Sequence, residues 1–298
     1  MSIQLLKLRG SCHLQDAGRV GQGGVGMPQG GFADRESAEL ANLIVGKKGI
    51  ATLLECTLGG PDLHFETSCD IAITGANIQP KIDGVPVPLW QRIHAQAGST
   101  LTCSHARDGL RSYIAFGRSI VAPHWRGSVS PVLLGDEMYP ATSVLEEGTT
   151  LRLAGEHQPR QSRIARSYVQ LPKHMSVLAK GGEVHLNLHA APESVLMLGN
   201  EKLLKAFSQT AWEISPQSNR MGIRLVGPSL PLGKTSGSMR SGPVLPGTVQ
   251  LLPDGQLIIT HVDSQTIGGY PRIGIVDAFG MGVLAQAVAG RVKLQLRF

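Results

Sequence analysis

The sequence predicts a mainly β protein with few short helices, and three observations support this fold class. Short apolar runs recur along the chain, with turn signals about every ten residues between them. The chain contains 37 glycines and 18 prolines, which favour turns and interrupt helices. Long helical patterns are few, so a β-barrel or a β-sandwich is favoured over alternating strands and helices.

The individual elements follow from periodicity. A helix is predicted over 32–45, where apolar residues recur at helical spacing before Gly46, and a shorter one over 199–209. A tight hairpin is predicted over 82–87 around Asp83-Gly84. Strands are predicted at the start of the chain and over 52–58, 71–74, 112–116, 183–189, 212–215, 222–226, 257–260 and 273–276.

The charge distribution predicts the domain organisation. The chain has 298 residues and a net charge of +6, and residues 152–180 hold six basic residues against one acidic residue. A chain of this length favours two modest domains. We therefore predict an N-terminal domain over 1–155, a basic linker over 156–180 and a C-terminal domain over 181–298. The basic segment contains Tyr168 as its single aromatic residue, which argues against nucleic-acid binding.

Cysteine usage and hydropathy predict the compartment. The cysteines at 12, 56, 69 and 103 form no Cys-x-x-Cys pair, so neither a disulfide framework nor a zinc ribbon is indicated. No apolar run approaches the length of a membrane span, and the first residues lack the pattern of a secretory leader. We predict a cytoplasmic protein with reduced thiols, no membrane partner and no metal ligands.

Three motifs resemble known sites, and their context argues against each. Gly21–Gly26 spells G-x-G-x-x-G, but the loop continues beyond it instead of opening a helix. Gly227–Thr235 has five residues between its glycines, whereas a phosphate-binding loop has four. His185 and His189 lie on one strand face without a nearby third ligand, so exposed strand histidines are the preferred interpretation.

The stretch Asp263–Gly274 is the strongest candidate site. It joins two apolar strands and places a carboxylate, an amide, a hydroxyl, a phenol and a guanidinium around Gly268-Gly269. Paired glycines permit close approach of a ligand to the backbone. The alternative interpretation is a Gly-Gly turn with solvated neighbours, and spacing alone does not separate the two.

Several segments, taken together, resemble the family of KipA, which includes the C-subunit of bacterial 5-oxoprolinase and allophanate hydrolase subunit 2 and is related to the carboxyltransferase region of urea amidolyase. The order and spacing of the segments carry the resemblance. They are Gln15–Arg19, Gly30–Asp34, Ala41–Gly46, Leu54–Pro61, Ser218–Gly227, Leu245–Gln250 and Gln265–Pro271.

The resemblance implies two cyclophilin-like β-barrel domains and a subunit of an ATP-dependent 5-oxoprolinase-type hydrolase of cyclic amides. The implied partners are a KipI-like protein, a LamB/YcsF-like protein and a small-molecule amide, and a homo-oligomer stays open. ATP, with Mg²⁺, is the implied cofactor of the complex. Two alternatives are a KipA-like regulatory binding protein without catalysis and a urea or amide carboxyltransferase subunit, for which biotin would be the cofactor.

The same resemblance implies the site residues. Asp263, Gln265, Thr266 and Tyr270 are the implied catalytic residues, with Asp263 as a base or magnesium contact. The implied substrate-binding residues are Gln15, Asp16, Arg19, Asp34, Asn42, Glu55, Arg220, Arg224, Gln250, Gly268 and Gly269. A structural role is the competing interpretation for the N-terminal residues of this set, an ion pair of Asp16 with Arg19 among them.

The chain departs from the family pattern at three places. Val129 and Pro131 stand where the family has an arginine and a threonine, and Gly242 stands where it has a glutamate. The segment 190–207 lacks the family's Gly-Pro-Gln pattern. These losses favour either a variant with another substrate or a protein that only binds its partner.

Overall fold

The computed structural model describes residues 1–47, 50–155, 172–175, 183–194, 200–230, 239–288 and 290–297. The chain forms two compact units, the first from Met1–Arg19 and Gly30–Ala179, the second from Val20–Gln29 and Lys180–Phe298. Most of the predicted linker lies outside the described residues, so the predicted domain boundaries stay predictions. The mainly β class is confirmed, since strands make up most of the regular structure in both units.

Among its described residues, the first unit contains the helix α1 (Arg35–Ile44), helical residues at 173–175, a short 3₁₀ helix (Ala141–Ser143) and fourteen strands. The strands are β1 (Ser2–Lys7), β2 (Ser11–Gln15), β3 (Leu53–Thr57), β4 (Asp62–Phe65), β5 (Cys69–Asn77), β6 (Lys81–Ile82), β7 (Val85–Pro86), β8 (Arg92–Ala95), β9 (Thr100–Thr102), β10 (Arg107–Phe116), β11 (Ser119–Ile120), β12 (Val132–Leu134), β13 (Glu137–Tyr139) and β14 (Thr150–Ala154).

Two sheets of the first unit share a core. One has the strand order β11-β14-β1-β4-β9-β6-β7 and the other β2-β3-β10-β5-β8, and β12 pairs with β13 separately. Alternate residues of β10 point to opposite faces of its sheet. Ile114 and Phe116 join the core between the sheets, whereas Tyr113 and Ala115 pack against α1 on the other face. Both faces of this sheet are therefore buried, which explains its continuous apolar runs.

Helix α1 begins later than the sequence predicts. The apolar pattern includes Phe32, but Asp34 has extended backbone angles and its carboxylate accepts a hydrogen bond from the Ser37 amide (3.1 Å). Asp34 is thus the N-cap, which sets the first helical residue at Arg35. The predicted end near Val45 agrees with the structure, where Val45 is the C-cap.

The buried Asp34 also binds His174, and this pair makes a pH-dependent contribution to stability. His174 Nε2 lies 2.8 Å from Asp34 Oδ2, and His174 Nδ1 lies 3.4 Å from Glu36 Oε2. Burial lowers the pKa of His174, but the hydrogen bond and charge of Asp34, together with Glu36, outweigh burial and the pKa is raised. His174 is therefore charged in the folded protein at pH values where it is neutral in the unfolded chain.

Because of this raised pKa, the free energy of unfolding is expected to decrease as the pH rises. The stabilisation is fully present below the unfolded pKa of about 6.5 and is lost as the pH rises through the higher folded pKa. Denaturant titrations of wild type and His174→Asn between about pH 5.5 and 8.5 measure this effect. The two curves should converge as the pH rises, and a constant difference would contradict the assignment.

The second unit is a closed barrel, and its described residues also form the helices α2 (Glu201–Gln209) and α3 (Ala278–Gln286) and 3₁₀ turns at Gln22–Val25 and Pro192–Ser194. Its strands are β15 (Glu183–Ala190), β16 (Trp212–Ile214), β17 (Gly222–Val226), β18 (Gly242–Pro243), β19 (Thr248–Leu251), β20 (Leu257–Thr260), β21 (Ile267–Gly268), β22 (Arg272–Val276) and β23 (Arg291–Arg297). The barrel order is β15-β22-β19-β20-β17-β16-β23, and β18 pairs with β21 outside it.

Parallel pairing of β15 with β23 closes the barrel, from Glu183 opposite Arg291 to His189 opposite Arg297. Of the two barrels implied by the resemblance, the one in this unit is present as a closed barrel. His185 and His189 are exposed on β15, as predicted. Among the described residues, no group of three or more His, Cys, Asp or Glu side chains could hold a metal ion. No helix in the described ranges is long and apolar enough to cross a membrane.

Candidate functional site

A cleft of about 590 Å³ lies on the second unit, and it gathers part of the predicted site. Its floor comes from neighbouring strands of the barrel, and residues of the connection between β20 and β22 form one wall. The polar residues considered below are Arg224, Gln250, Asp254, Ser264, Gln265 and Tyr270, all of which line the cleft.

Strand register places the key residues of the floor side by side. Ile258 of β20 is paired with Gln250 of β19 on one side and with Arg224 of β17 on the other. Their neighbours Val249, Ile259 and Leu225 are buried in the barrel core. Since side chains alternate along a strand, Gln250, Ile258 and Arg224 form a row on the outer face, about 10 Å from end to end.

Gln250 is a buried amide in this row. Only 2% of the residue is exposed, and no acceptor among the described residues binds its Nε2. A buried N–H group without an acceptor costs about 1–3 kcal/mol. A ligand carbonyl or carboxylate oxygen that displaced the atoms covering Nε2 would remove this cost, which makes the Gln250 amide the candidate donor of the site.

Gly268 allows the connection to cover Gln250. A Cβ atom at this position would lie 2.7 Å from Gln250 Nε2 and 3.0 Å from Val244 Cγ2, so no other residue fits without displacement. The connection is fixed by backbone hydrogen bonds from Val244 N to Thr266 O (2.8 Å) and from Met239 N to Gly269 O (2.7 Å). The Gly-Gly pair thus serves close packing over the amide and is not a hairpin turn, because β19 lies between β20 and β22 in the barrel.

Arg224 and Arg220 have different environments although both are implied substrate-binding residues. The Arg224 side chain is exposed in the cleft, and among the described residues its guanidinium has no hydrogen-bond or ion-pair partner. Arg220 donates to both oxygens of Asp263, from Nε (2.6 Å) and from Nη2 (2.9 Å). Arg224 is therefore the guanidinium available to a ligand.

Asp263 is held by this bidentate pair, and its amide also donates to the Arg220 carbonyl (2.9 Å). The contacts tie the start of the connection to the loop before β17, so the geometry favours a positioning role. Catalysis by Asp263 as a base stays a prediction. Gln265 and Tyr270 are exposed at the rim of the cleft, whereas Thr266 contributes its carbonyl to the hydrogen bond with Val244.

Three predicted residues of the first unit surround the loop 128–130. Asp16 accepts hydrogen bonds from the Gly18 amide (2.8 Å), the Ser128 hydroxyl (2.5 Å) and the Val129 amide (2.9 Å). Ser130 donates its hydroxyl to Gln15, and its carbonyl accepts from Arg19 Nη2 (2.6 Å). Arg19 also lies over the Trp125 ring at 5.1 Å. Atoms of the loop 128–130 thus bind both Asp16 and Arg19, which agrees with a structural role for the two residues.

The departure at Val129 has a structural explanation. Val129 is fully buried in the core of the first unit, and Ser128 and Ser130 on either side bind Asp16 and Gln15. An arginine at this position would place a charge in that core, which is costly without a partner. In this chain the segment stabilises the fold of the first unit.

The other three predicted residues of this unit, Asp34, Asn42 and Glu55, support α1. Glu55 Oε2 accepts from the Ala33 amide (2.8 Å), and Asn42 donates to the Ala51 carbonyl (2.9 Å). All three are buried. Their contacts match the structural interpretation of the N-terminal residues, and substrate binding by them stays a prediction.

Sequence reasoning missed Asp254 and Ser264 of the cleft. Asp254 lies in a Pro-Asp-Gly segment, and its Oδ1 accepts from the Gln256 amide (3.0 Å), which is ordinary turn chemistry. Ser264 is buried and belongs to the predicted stretch, but it stands beside more conspicuous polar residues. Only the fold shows that both face the same cleft.

Comparison with known proteins gives the family. The model of the carboxyltransferase domain, subdomains A and B, matches residues 25–298. The chain belongs to this carboxyltransferase-domain family. This confirms the resemblance drawn from the sequence segments.

Relatives of this carboxyltransferase-domain protein include the C-subunit of 5-oxoprolinase from Escherichia coli, with 34% identity over 93% of this chain and 85% of that protein. The Haemophilus influenzae protein of the same name is 29% identical over 97% of this chain and 88% of that protein. Urea amidolyase of Saccharomyces cerevisiae is 27% identical over 92% of this chain but only 15% of that protein.

Solved structures give the same architecture. TTHA0988 superposes with a TM-score of 0.82 and 26% identity over the whole of this chain, which spans 55% of the TTHA0988 chain. The K. lactis urea carboxylase gives a TM-score of 0.85 at 23% identity over 98% of this chain and 27% of that one. The second likeness supports the fold alone.

Proposed function

We propose that this protein is a subunit of an ATP-dependent 5-oxoprolinase-type amide hydrolase, acts with a KipI-like partner, and binds the cyclic amide in the cleft of its second unit. The two relatives named as C-subunits of 5-oxoprolinase, each matched over most of its length, support this function. A LamB/YcsF-like third subunit and a cytoplasmic location belong to the same proposal.

The row Gln250–Ile258–Arg224 is the observation that carries the proposal. 5-Oxoproline has a lactam carbonyl, an apolar ring and a carboxylate, and the row offers an amide donor, an apolar side chain and a guanidinium in that order. A guanidinium pairs well with a carboxylate. The unpaired Nε2 of Gln250 is suited to the carbonyl oxygen, and Ile258 to the ring.

The chemistry of this chain is then mainly electrostatic. A hydrogen bond from Gln250 Nε2 polarises the lactam carbonyl, and it strengthens as negative charge develops on that oxygen. Arg224 fixes the carboxylate and so orients the ring. Tyr270 and Gln265 at the rim are available to hydrogen-bond the remaining polar atoms of the substrate.

ATP would supply the phosphoryl group that activates the amide, but the cleft does not fit a nucleoside triphosphate. Its described lining contains one cation, Arg224, together with the carboxylate of Asp254. A triphosphate needs several cationic or backbone donors. The proposal therefore assigns ATP and its Mg²⁺ to another subunit of the complex.

Turnover by the reconstituted complex tests the function. This chain is co-purified with its KipI-like and LamB/YcsF-like partners, and ADP release is measured with and without 5-oxoproline. Substrate-dependent ADP release with formation of glutamate is the expected result. A stable complex that releases no ADP with 5-oxoproline would reject the hydrolase and favour a KipA-like regulatory binding protein.

A carboxyltransferase subunit is the second candidate, favoured by the family model and by the similarity to urea amidolyase. In that case carboxybiotin would replace ATP as the group donor to an amide. The same preparation separates the two: transfer of carboxyl from carboxybiotin to urea, without ADP release on 5-oxoproline, would support the carboxyltransferase.

A further inference from the structure

The first unit has a cleft of its own, of about 460 Å³, which none of the proposed chemistry uses. Its polar lining residues are Asp16, Lys47, Thr52, Ser119 and His124. Lys47 follows the C-terminal turn of α1, where Gly46 has φ +82° and turns the chain away from the helix. The lysine amine is thereby directed into the protein at one side of the cleft.

Among the residues that the structure describes, the Lys47 ammonium has no hydrogen-bond partner. Its Nζ atom is buried, and no acceptor among the described residues lies within hydrogen-bond distance. Burial lowers the pKa of Lys47 to about 8, an effect only partly offset by the nearby Cys69. A buried cation without a counter-charge is unfavourable, which makes the position a candidate for an anion supplied from outside.

The carboxylate already in the cleft does not serve as that counter-ion. Both oxygens of Asp16 accept hydrogen bonds from the segment 128–129 and the Gly18 amide, at 2.5–2.9 Å. The Asp16 carboxylate is therefore already bound by these three donors. It still contributes a negative potential in the cleft, which disfavours a ligand with two or more negative charges.

We propose that this cleft is a binding site for a small monocarboxylate, in which the Lys47 ammonium anchors the carboxylate group. The hydroxyls of Thr52 and Ser119 in the lining are available to the remaining polar atoms of the ligand, and Ile50 and Ile120 provide apolar contacts. Lys47 is the one lysine or arginine in the described lining, and together with the presence of Asp16 it selects a monoanion over phosphate. This site is independent of the cleft in the second unit and of the proposed hydrolase.

NMR of the full-length chain labelled with ¹³C and ¹⁵N at lysine tests the site directly. The Lys47 side-chain resonance, assigned with Lys47→Arg, is followed against pH with and without acetate, propionate or phosphate. A monocarboxylate should give a saturable shift with a dissociation constant of about 0.1–10 mM. It should also raise the apparent pKa of Lys47 by about one unit or more at saturation.

The variants separate the anchor from general surface binding. Lys47→Met should abolish the saturable acetate binding seen by calorimetry, and Lys47→Arg should retain it. The proposal is overturned if wild-type Lys47 does not respond to either monocarboxylate, if phosphate binds as well as acetate, or if Lys47→Met binds acetate like wild type. The wild-type titration decides even if the methionine variant does not fold.

Discussion

Replacing Gln250 with leucine is expected to lower kcat/KM of the reconstituted complex for 5-oxoproline about 100- to 1000-fold, because a buried donor to a developing oxyanion contributes this much in other enzymes. Leucine is similar in size, so the packing beneath Gly268 is retained while the Nε2 donor is lost. Steady-state ADP release over a range of 5-oxoproline concentrations measures the effect.

Gln217→Leu is the matched control, because Gln217 also lines the cleft but is exposed on its rim. Its kcat/KM should stay within about threefold of wild type, since an exposed donor is replaced by water. An equal loss of kcat/KM in the two variants would show that leucine itself disturbs the cleft. It would contradict the role assigned to the Gln250 amide.

Replacing Glu55 with alanine is expected to lower the free energy of unfolding by about 3–5 kcal/mol, the range for breaking a buried ion pair. Glu55 Oε1 lies 3.7 Å from Arg111 Nε, and both side chains are at most 3% exposed. The substitution removes this counter-charge from Arg111 and the acceptor of the Ala33 amide. Denaturant unfolding of the isolated chain, monitored by tryptophan fluorescence, measures the loss.

Glu39→Ala provides the comparison for this prediction. Glu39 pairs with Arg35 one turn earlier on α1 (2.7 Å), but the two side chains are 39% and 59% exposed. An exposed pair of this kind contributes less than about 0.5 kcal/mol. If Glu55→Ala destabilised the protein no more than Glu39→Ala does, the structural role assigned to Glu55 would be wrong.

Much of the barrel could be predicted because apolar and polar residues alternate along several of its strands, which is the pattern of a half-buried strand. The run 222–226 is an example, with Ile223 and Leu225 buried and Arg224 exposed. Helix α3 could not be predicted from periodicity, since it is apolar on nearly all sides and contains Gly280 and Gly282. Its one local signal was Asp277, whose side chain accepts from the Gly280 amide (2.7 Å).

The candidate site was only partly predictable, for a reason of register. The sequence indicates that the stretch around Gly268-Gly269 is unusual, but it cannot show that Gln250 and Arg224 flank Ile258. That arrangement depends on which residues of three strands are paired, and a shift of one residue would place them on opposite faces. The resemblance named both residues, and the fold shows that both are paired with Ile258.

The pairing of Arg224 with a substrate carboxylate is tested most directly by calorimetric binding of 5-oxoproline and of its uncharged primary amide to the complex. Wild type should bind 5-oxoproline at least about tenfold more tightly than the amide, and Arg224→Met should lose that preference while Arg224→Lys retains part of it. An Arg224→Met complex that still prefers 5-oxoproline as strongly as wild type would contradict the assignment of the cleft as the amide-binding site.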